Sequence, residues 1–554
     1  MSVSMYSVRP PHAMAKQYRA GGYWRDCGPL DDLRLWRDRT PDAIAIRAYR
    51  SGEAPRPISY GEFAHHVERF AGALYELGVR PGQAVALQLP NWWQTSALIL
   101  AVARVGAVLV AVPTNIRSRE LERVLVGSGV SVCLTVDRWE GFDHAAALRE
   151  MAPRLPQLRH RVVLGSPAAG EIDFARFFEE TPWEQCHPVA LNDVQEDPDR
   201  IIAVYFTSGT SGEPKGILHT WNTVHSTMST WVGGEECGPP DTLFVPNTLV
   251  HLFGAMMGLF VPLLAGASSV VLDVWSGPTG LALLAESGTT QFISTPPYFF
   301  DLVAAAGEKA QHLPDLRILA ASGTTIPKQL VTDALHVLGV PLRSQFGMTE
   351  IGLGTWTRAD DPPDWAMYSD GRPGPGTEID LRSDTEITGT EPGRLFIRGP
   401  GVCLATVGRD SGTLTVIAER DDGWYDTGDL AVPDGRGGIR LAGRAVDRIG
   451  GGFMIPVTDV EFLLQSHPGV ADIALVGYPD DKGGELACAV IRPATTPPVD
   501  LEDLRKYLSD QGMTDFYLPS RLELLPDLPR NTLGKVRKEL LRRWLRGEAD
   551  LTDA

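Results

Sequence analysis

Between residues 30 and 272 two apolar textures alternate: helix-length stretches such as 70–77 and 96–105, and short runs in which almost every residue is apolar, such as 84–89 (AVALQL) and 107–112 (AVLVAV). Apolar positions three and four apart predict amphipathic helices, and short unbroken apolar runs predict strands buried on both faces. Strands that alternate with helices pair in parallel through crossovers, so the expected fold class is α/β, with helices covering both faces of parallel-rich sheets. Near Gly371 the texture changes. Over 371–443 short runs such as 394–398 (RLFIR) lie among Gly, Pro, Asp and Thr, which predicts hairpins and a small barrel. Beyond Gly443 a compact α+β pattern follows: helix 457–465, strands 471–476 and 487–491, helix 501–508 and a basic C-terminal helix. The expected division is a large domain over residues 1–443 and a small one over 444–554.

Length and composition narrow the function classes. A chain of 554 residues exceeds one ordinary domain and can bury a sizeable core. Its net charge of -18 repels polyanions, so no nucleic-acid partner is expected and a nucleotide needs a local positive site. Cys27, Cys133, Cys186, Cys237, Cys403 and Cys488 are scattered without a CxxC pair, the pattern of reduced thiols. The first residues hold no signal-peptide core, so a cytoplasmic enzyme is expected. The apolar stretch 249–274 is interrupted by Gly254, Gly258, Pro262 and Gly266, which predicts a buried helix, turn and strand and no membrane partner.

The segment 205–216, YFTSGTSGEPKG, follows an apolar strand. Gly209 and Gly212 let backbone amides turn toward an anion, the hydroxyls of Thr207, Ser208, Thr210 and Ser211 add donors, and Lys215 adds charge; the loop suits a triphosphate. The Walker spacing is absent. On composition alone a Ser/Gly surface loop is the commoner explanation, and Asp429 or Lys535 taken singly is more often a solvated charge.

Six segments in order change that weighting, because together they resemble the adenylate-forming (ANL) superfamily of acyl-CoA synthetases, peptide-synthetase adenylation domains and luciferases. YFTSGTSGEPKG is similar to its phosphate loop. ASGTTIP (321–327) resembles its adenine turn, with Ser322, Gly323 and Thr324 at the contact positions. QFGMTE (345–350) resembles the motif that places an aromatic residue on adenine, a threonine at the phosphate and a glutamate at magnesium, here Phe346, Gly347, Met348, Thr349 and Glu350. WYDTGDL (424–430) resembles the ribose motif, with Asp429 as acceptor, and GRAVDRI (443–449) assigns Arg444 to the nucleotide and Asp447 to the hinge. PRNTLGKVRK (529–538) makes Lys535 the residue bridging carboxylate and α-phosphate.

The resemblance implies ATP, Mg²⁺ and coenzyme A as cofactors, an acyl-adenylate intermediate, and a small domain that swings between two half-reactions. It leaves a homodimer open. In the family the acyl pocket is lined by the regions matching 247–257 and 344–355, and the first puts His251, Phe253 and Gly254 at the substrate. No acid lies in 247–254 to hold an α-amino group, so amino acids are not expected substrates. The string 250–275 is most similar to ligases for alicyclic or short branched acids, of the cyclohexanecarboxylate type, with long-chain and aryl acids left open. For His251 a core role and a substrate role weigh equally, and Gly254 and Gly258 suit either a bulky ring or close packing. RIGGGFMIP (448–456) is one residue shorter than the family's hairpin at the thiol step, so unequal half-reactions, or an acyl-AMP supplied from elsewhere, stay open beside transfer to a carrier protein. A non-catalytic sensor has no need of Lys535, and a luciferase-like reading requires light emission.

Overall fold

The computed structural model describes residues 5–207, 215–235, 237–307, 311–323, 326–384, 386–388, 392–409, 411–444, 449–450, 455–481, 484–530 and 536–551. The large N-terminal domain is built on two nine-stranded sheets. In one, the parallel run comprises 44–49, 268–272, 242–244, 291–294, 318–321 and 342–348; in the other it comprises 172–173, 160–164, 132–136, 84–88, 108–111 and 201–207. Strands Ala84–Gln88 and Val108–Ala111 are buried at every position, the state their unbroken apolar runs predict for strands covered on both faces.

The covering helices range from amphipathic to almost wholly buried, as in Trp93–Arg104. Helix Tyr60–Glu76 turns Tyr60, Phe63, Val67, Phe70 and Leu74 into the largest apolar cluster. It begins at Ser59, whose hydroxyl accepts the Glu62 amide at 3.2 Å, a capping contact that holds one of the otherwise unpaired first-turn amides. The stretch 249–274 folds as short helical segments, Leu252–Ala255, Met256–Phe260 and Val261–Ala265, then the buried strand Ser268–Leu272. No helix among the described residues is long and apolar enough to cross a membrane.

Each parallel run ends in an antiparallel hairpin. Ile201–Thr207 turns back into Lys215–Thr220, with Thr207 opposite Lys215, and Leu342–Met348 turns back into Gly352–Trp356, with Met348 opposite Gly352. A third sheet, wholly antiparallel, follows in the order 378–382, 393–398, 425–433, 439–444, a half-barrel in the region of predicted hairpins. One apolar cluster joins all three sheets: Ile217 from one, Phe346 and Ile351 from another, Leu395, Ile397, Tyr425 and Ala431 from the third.

The smaller C-terminal domain is α+β. Strands Val470–Pro479 and Glu485–Pro493 pair antiparallel, and Arg521–Leu524 adds a parallel edge. Helices Val457–Gln465 and Leu501–Asp510 pack on one face through Val460, Leu464, Leu504 and Leu508, and the basic helix Lys538–Leu545 packs through Leu541 near Val476 and Val490.

Candidate active site

In open α/β sheets ligands bind beyond the carboxyl ends of the strands. Here both hairpin turns lie at such ends, and both are motif segments. The phosphate loop connects Thr207 to Lys215; Ser208, Gly209, Thr210 and Ser211 lie outside the described residues. Thr207 Oγ1 is buried and has no hydrogen-bond partner among the described residues, which leaves a donor for a ligand oxygen.

The second hairpin carries Phe346, Gly347, Met348, Thr349 and Glu350. Its tightness explains its glycines: a Cβ on Gly347 would sit 2.5 Å from the Gly352 carbonyl oxygen, and Gly352 has φ +64°. Thr349 is 8% and Glu350 1% exposed. Alternation along Lys215–Thr220 puts Lys215, Ile217 and His219 on one face, and Ile217 shares a cluster with Phe346, so that face looks toward the 349–351 turn. Lys215 and Glu350 both act on the buried Cys403 thiol. Burial, then the Glu350 charge, pushes that thiol up, against the pull of Lys215.

His219, absent from the predicted site, sits between these motifs. Its ring is 1% exposed; Nε2 lies 2.6 Å from the Thr349 carbonyl oxygen and Nδ1 lies 2.9 Å from Thr223 Oγ1. A carbonyl only accepts, so Nε2 carries the proton, and burial pushes the imidazolium pKa down to about 4, so the ring is neutral. The signal that could have found it is a histidine in an otherwise apolar strand, four residues after the loop lysine.

On the ribose side, Asp429 is 4% exposed on Tyr425–Pro433, directly opposite Arg444 of Ile439–Arg444. On the adenine side, Ser322 and Gly323 follow strand Ile318–Ala321, and the Ser322 amide donates to the Ser294 carbonyl at 2.9 Å. Thr324, Asp447 and Lys535 lie outside the described residues.

The segment expected at the acyl group is shaped by Asn91. Its Nδ2 donates to the carbonyls of Pro246 and Asn247 at 3.1 and 3.0 Å, and its Oδ1 accepts the Leu249 amide at 2.8 Å. His251 caps Leu252–Ala255: its Nδ1 accepts the Phe253 amide at 3.3 Å, and burial lowers its pKa to about 4. Phe253 packs half-buried against the main core. A Cβ on Gly254 would lie 2.0 Å from the Thr248 carbonyl oxygen, so this glycine allows close backbone packing. Gly258 is tight too, at 3.3 Å from Val245 Cβ. Gln345 opens the QFGMTE segment. It pairs opposite Trp356, which packs on Trp231 of helix Trp221–Gly234, so Gln345 shares the helix-covered face. It is 4% exposed, and neither amide atom has a partner among the described residues.

Residues 33–405 match the model of the AMP-binding enzyme family, and 459–535 match the AMP-binding enzyme C-terminal domain. The chain belongs to the AMP-binding enzyme family. It is 29% identical over 533 residues to the medium-chain fatty-acid–CoA ligase of Escherichia coli (strain K12), covering 95% of this chain and 92% of the relative. It is 30% identical over 507 residues to the 3-[(3aS,4S,7aS)-7a-methyl-1,5-dioxo-octahydro-1H-inden-4-yl]propanoyl:CoA ligase of Mycobacterium tuberculosis (strain ATCC 25618 / H37Rv), covering 91% and 96%. Among solved structures, apo MbtA from Mycobacterium smegmatis superposes with TM-score 0.70 at 28% identity, covering 98% of this chain and 100% of that one.

The two domains meet at helix Ser118–Ser128. Asp459 Oδ2 of the small domain accepts from Arg123 at 2.7 Å and from Arg409 at 2.8 Å. The Arg117 amide donates to Thr514 Oγ1, which donates to buried Glu120 at 3.1 Å, and Arg117 pairs with Asp515 at 3.0 Å.

Proposed function

We propose that the chain is an ATP-dependent acid–thiol ligase, cytoplasmic, that converts a bulky, alicyclic or branched carboxylic acid to its acyl-adenylate and passes the acyl group to coenzyme A. The observation that carries this reading is that the hairpins ending both parallel runs carry Lys215 on one and Thr349 and Glu350 on the other, and are joined by the contact of His219 with the Thr349 carbonyl.

A carboxylate is ionised at neutral pH and attacks the α-phosphorus without a general base, so catalysis reduces to positioning two anions and offsetting their charge. Lys215 and the 208–214 loop take the departing phosphates, Thr207 and Thr349 donate hydroxyls, and Lys535 bridges carboxylate and α-phosphate. Phe346, Gly347, Met348, Ser322, Gly323 and Thr324 border the adenine, and Asp429 with Arg444 holds the ribose. The buried carboxylate of Glu350 fits Mg²⁺, which characteristically takes one or two carboxylates together with substrate phosphates; bound there, it supplies charge neutralisation. We place the domain division at 443/444 and the hinge at Asp447.

For the acid, His251 and Phe253 border the acyl group, Gly254 shapes that wall through packing, and Gln345 supplies a polar contact. A buried amide without partners is costly, so the acid that fits best carries a hydroxyl or keto substituent beside its apolar body. The relative named for a dioxo-octahydroindenyl propanoyl group is consistent with both features.

The test is to incubate the protein with MgATP, coenzyme A and a panel of alicyclic, aryl and fatty acids, each with and without a hydroxyl or keto group, and to follow acyl-AMP and acyl-CoA separately by mass. Acyl-CoA from free acid, lost in Lys535→Ala, supports the ligase. Acyl-CoA formed only from supplied acyl-AMP would replace it with an enzyme of the thioesterification step, and acyl-AMP without acyl-CoA would point to a carrier-protein acceptor.

A further inference from the structure

We infer that His219 is a positioning residue for adenylate formation: its Nε2–H holds the Thr349 carbonyl turned away from the nucleotide, so that the Thr349 hydroxyl and the Glu350 carboxylate are presented to it. This rests on the reaction proposed above. In the turn between Met348 and Gly352, three backbone contacts define the peptide planes. Ile351 N–H donates to the Met348 carbonyl at 3.2 Å, Cys403 N–H donates to the Glu350 carbonyl at 2.7 Å, and His219 Nε2–H donates to the Thr349 carbonyl at 2.6 Å. Each peptide unit is planar, so anchoring the carbonyls of 349 and 350 fixes the directions in which the two side chains leave the backbone. Two of the three anchors are backbone groups; His219 alone is a side chain. Its ring is in turn held by Thr223, whose amide is capped by the Thr220 hydroxyl at 3.1 Å, at the start of helix Trp221–Gly234. The site is buried, so water does not easily substitute for the ring. The same strand begins with Lys215, so His219 also ties the phosphate-loop hairpin to the adenine-side hairpin, one from each nine-stranded sheet.

The experiment compares His219→Phe, which keeps the ring volume and loses the donor, with His219→Gln, whose amide keeps a donor near the Nε2 position. Acid-dependent exchange of pyrophosphate into ATP gives kcat and KM, calorimetry gives AMP affinity, and thermal melting reports folding. His219→Phe is expected to lower exchange kcat by about 10- to 100-fold. The KM for the acid should move by less than about 3-fold, because the acyl wall is untouched. AMP affinity should fall in the same variant, and His219→Gln should restore most of both losses. The inference is overturned if His219→Phe keeps the kcat and AMP affinity of the parent, or if His219→Gln melts like the parent and is as impaired as His219→Phe. Should the parent show no exchange with any acid, the adenylation reading fails, whereas the AMP affinities of the two variants still decide whether His219 shapes the site.

Discussion

Replacing Asp459 with alanine tests whether the interface between the domains is held mainly by one charge cluster. A single oxygen of Asp459 accepts from two arginines of the large domain, at 2.7 and 2.8 Å. The side chains of Arg409, Asp459 and Arg123 are 4%, 17% and 33% exposed, so the Arg409 half is the buried one. Breaking a buried pair by removing one partner costs about 3 kcal/mol. The Arg123 half is screened by water and adds about 0.5 kcal/mol or less. Asp459 also lies in the first turn of Val457–Gln465, where losing a carboxylate costs that helix about 0.5 kcal/mol, too little to unfold the small domain. A net loss of about 3–3.5 kcal/mol shifts the docked-to-released ratio by about 150- to 400-fold. If the two half-reactions use different domain arrangements, their rates respond oppositely. The expected result in Asp459→Ala is a change of at least about 10-fold in the ratio of acyl-AMP formation to thioesterification of supplied acyl-AMP, with an expanded small-angle scattering profile. An unchanged ratio together with an unchanged profile would refute the reasoning.

Other perturbations probe packing and burial. Gly254→Ala drives a Cβ into the Thr248 backbone and is expected to destabilise by about 3 kcal/mol by urea unfolding, against less than about 1 kcal/mol for Gly258→Ala, where Val245 can shift. His144, His219, His225 and His251 have burial-depressed values of about 4, 4, 3 and 4. In the unfolded chain each takes its proton below about pH 6.5 and in the folded chain only near those lower values, so stability is full above that range and falls as pH drops. His144 is buried with neither ring nitrogen partnered among the described residues; His144→Leu should raise stability and flatten unfolding free energy against pH by about 1.4 kcal/mol per pH unit between pH 6 and 4. Glu120 has the opposite sense: burial raises its carboxyl, so its cost is absent when both states are protonated and grows as pH rises through its folded value. Glu120→Gln should therefore raise the melting temperature more at pH 8 than at pH 4.5.

What the sequence discloses depends on how local the determining physics is. Strands Ala84–Gln88 and Val108–Ala111 are legible because full burial leaves an apolar run, and helix Val457–Gln465 because its apolar spacing is uninterrupted. Helix Tyr60–Glu76 begins ten residues before the apolar stretch at 70 because Ser59 caps it and Tyr60, Phe63 and Val67 continue the buried stripe through polar neighbours. The strand Lys215–Thr220, KGILHT, is not among the expected elements; it is a strand because Ile201–Thr207 and Ala405–Gly408 flank it on both edges. The motif residues were legible as a set of types and their meeting was not, since it depends on Ile217, Phe346 and Leu395 sharing one cluster across three sheets. Gly254 shows the same limit. Its sequence context fits a roomy pocket or a tight crossing equally, and the tight approach to the Thr248 backbone, which leaves no room for a Cβ, is visible only in the fold. The residues with the least sequence signature, Asn91 and His219, work through buried polar contacts to distant backbone. In this chain the groups proposed to touch the nucleotide are written in motifs, whereas the groups that aim them are fixed by packing.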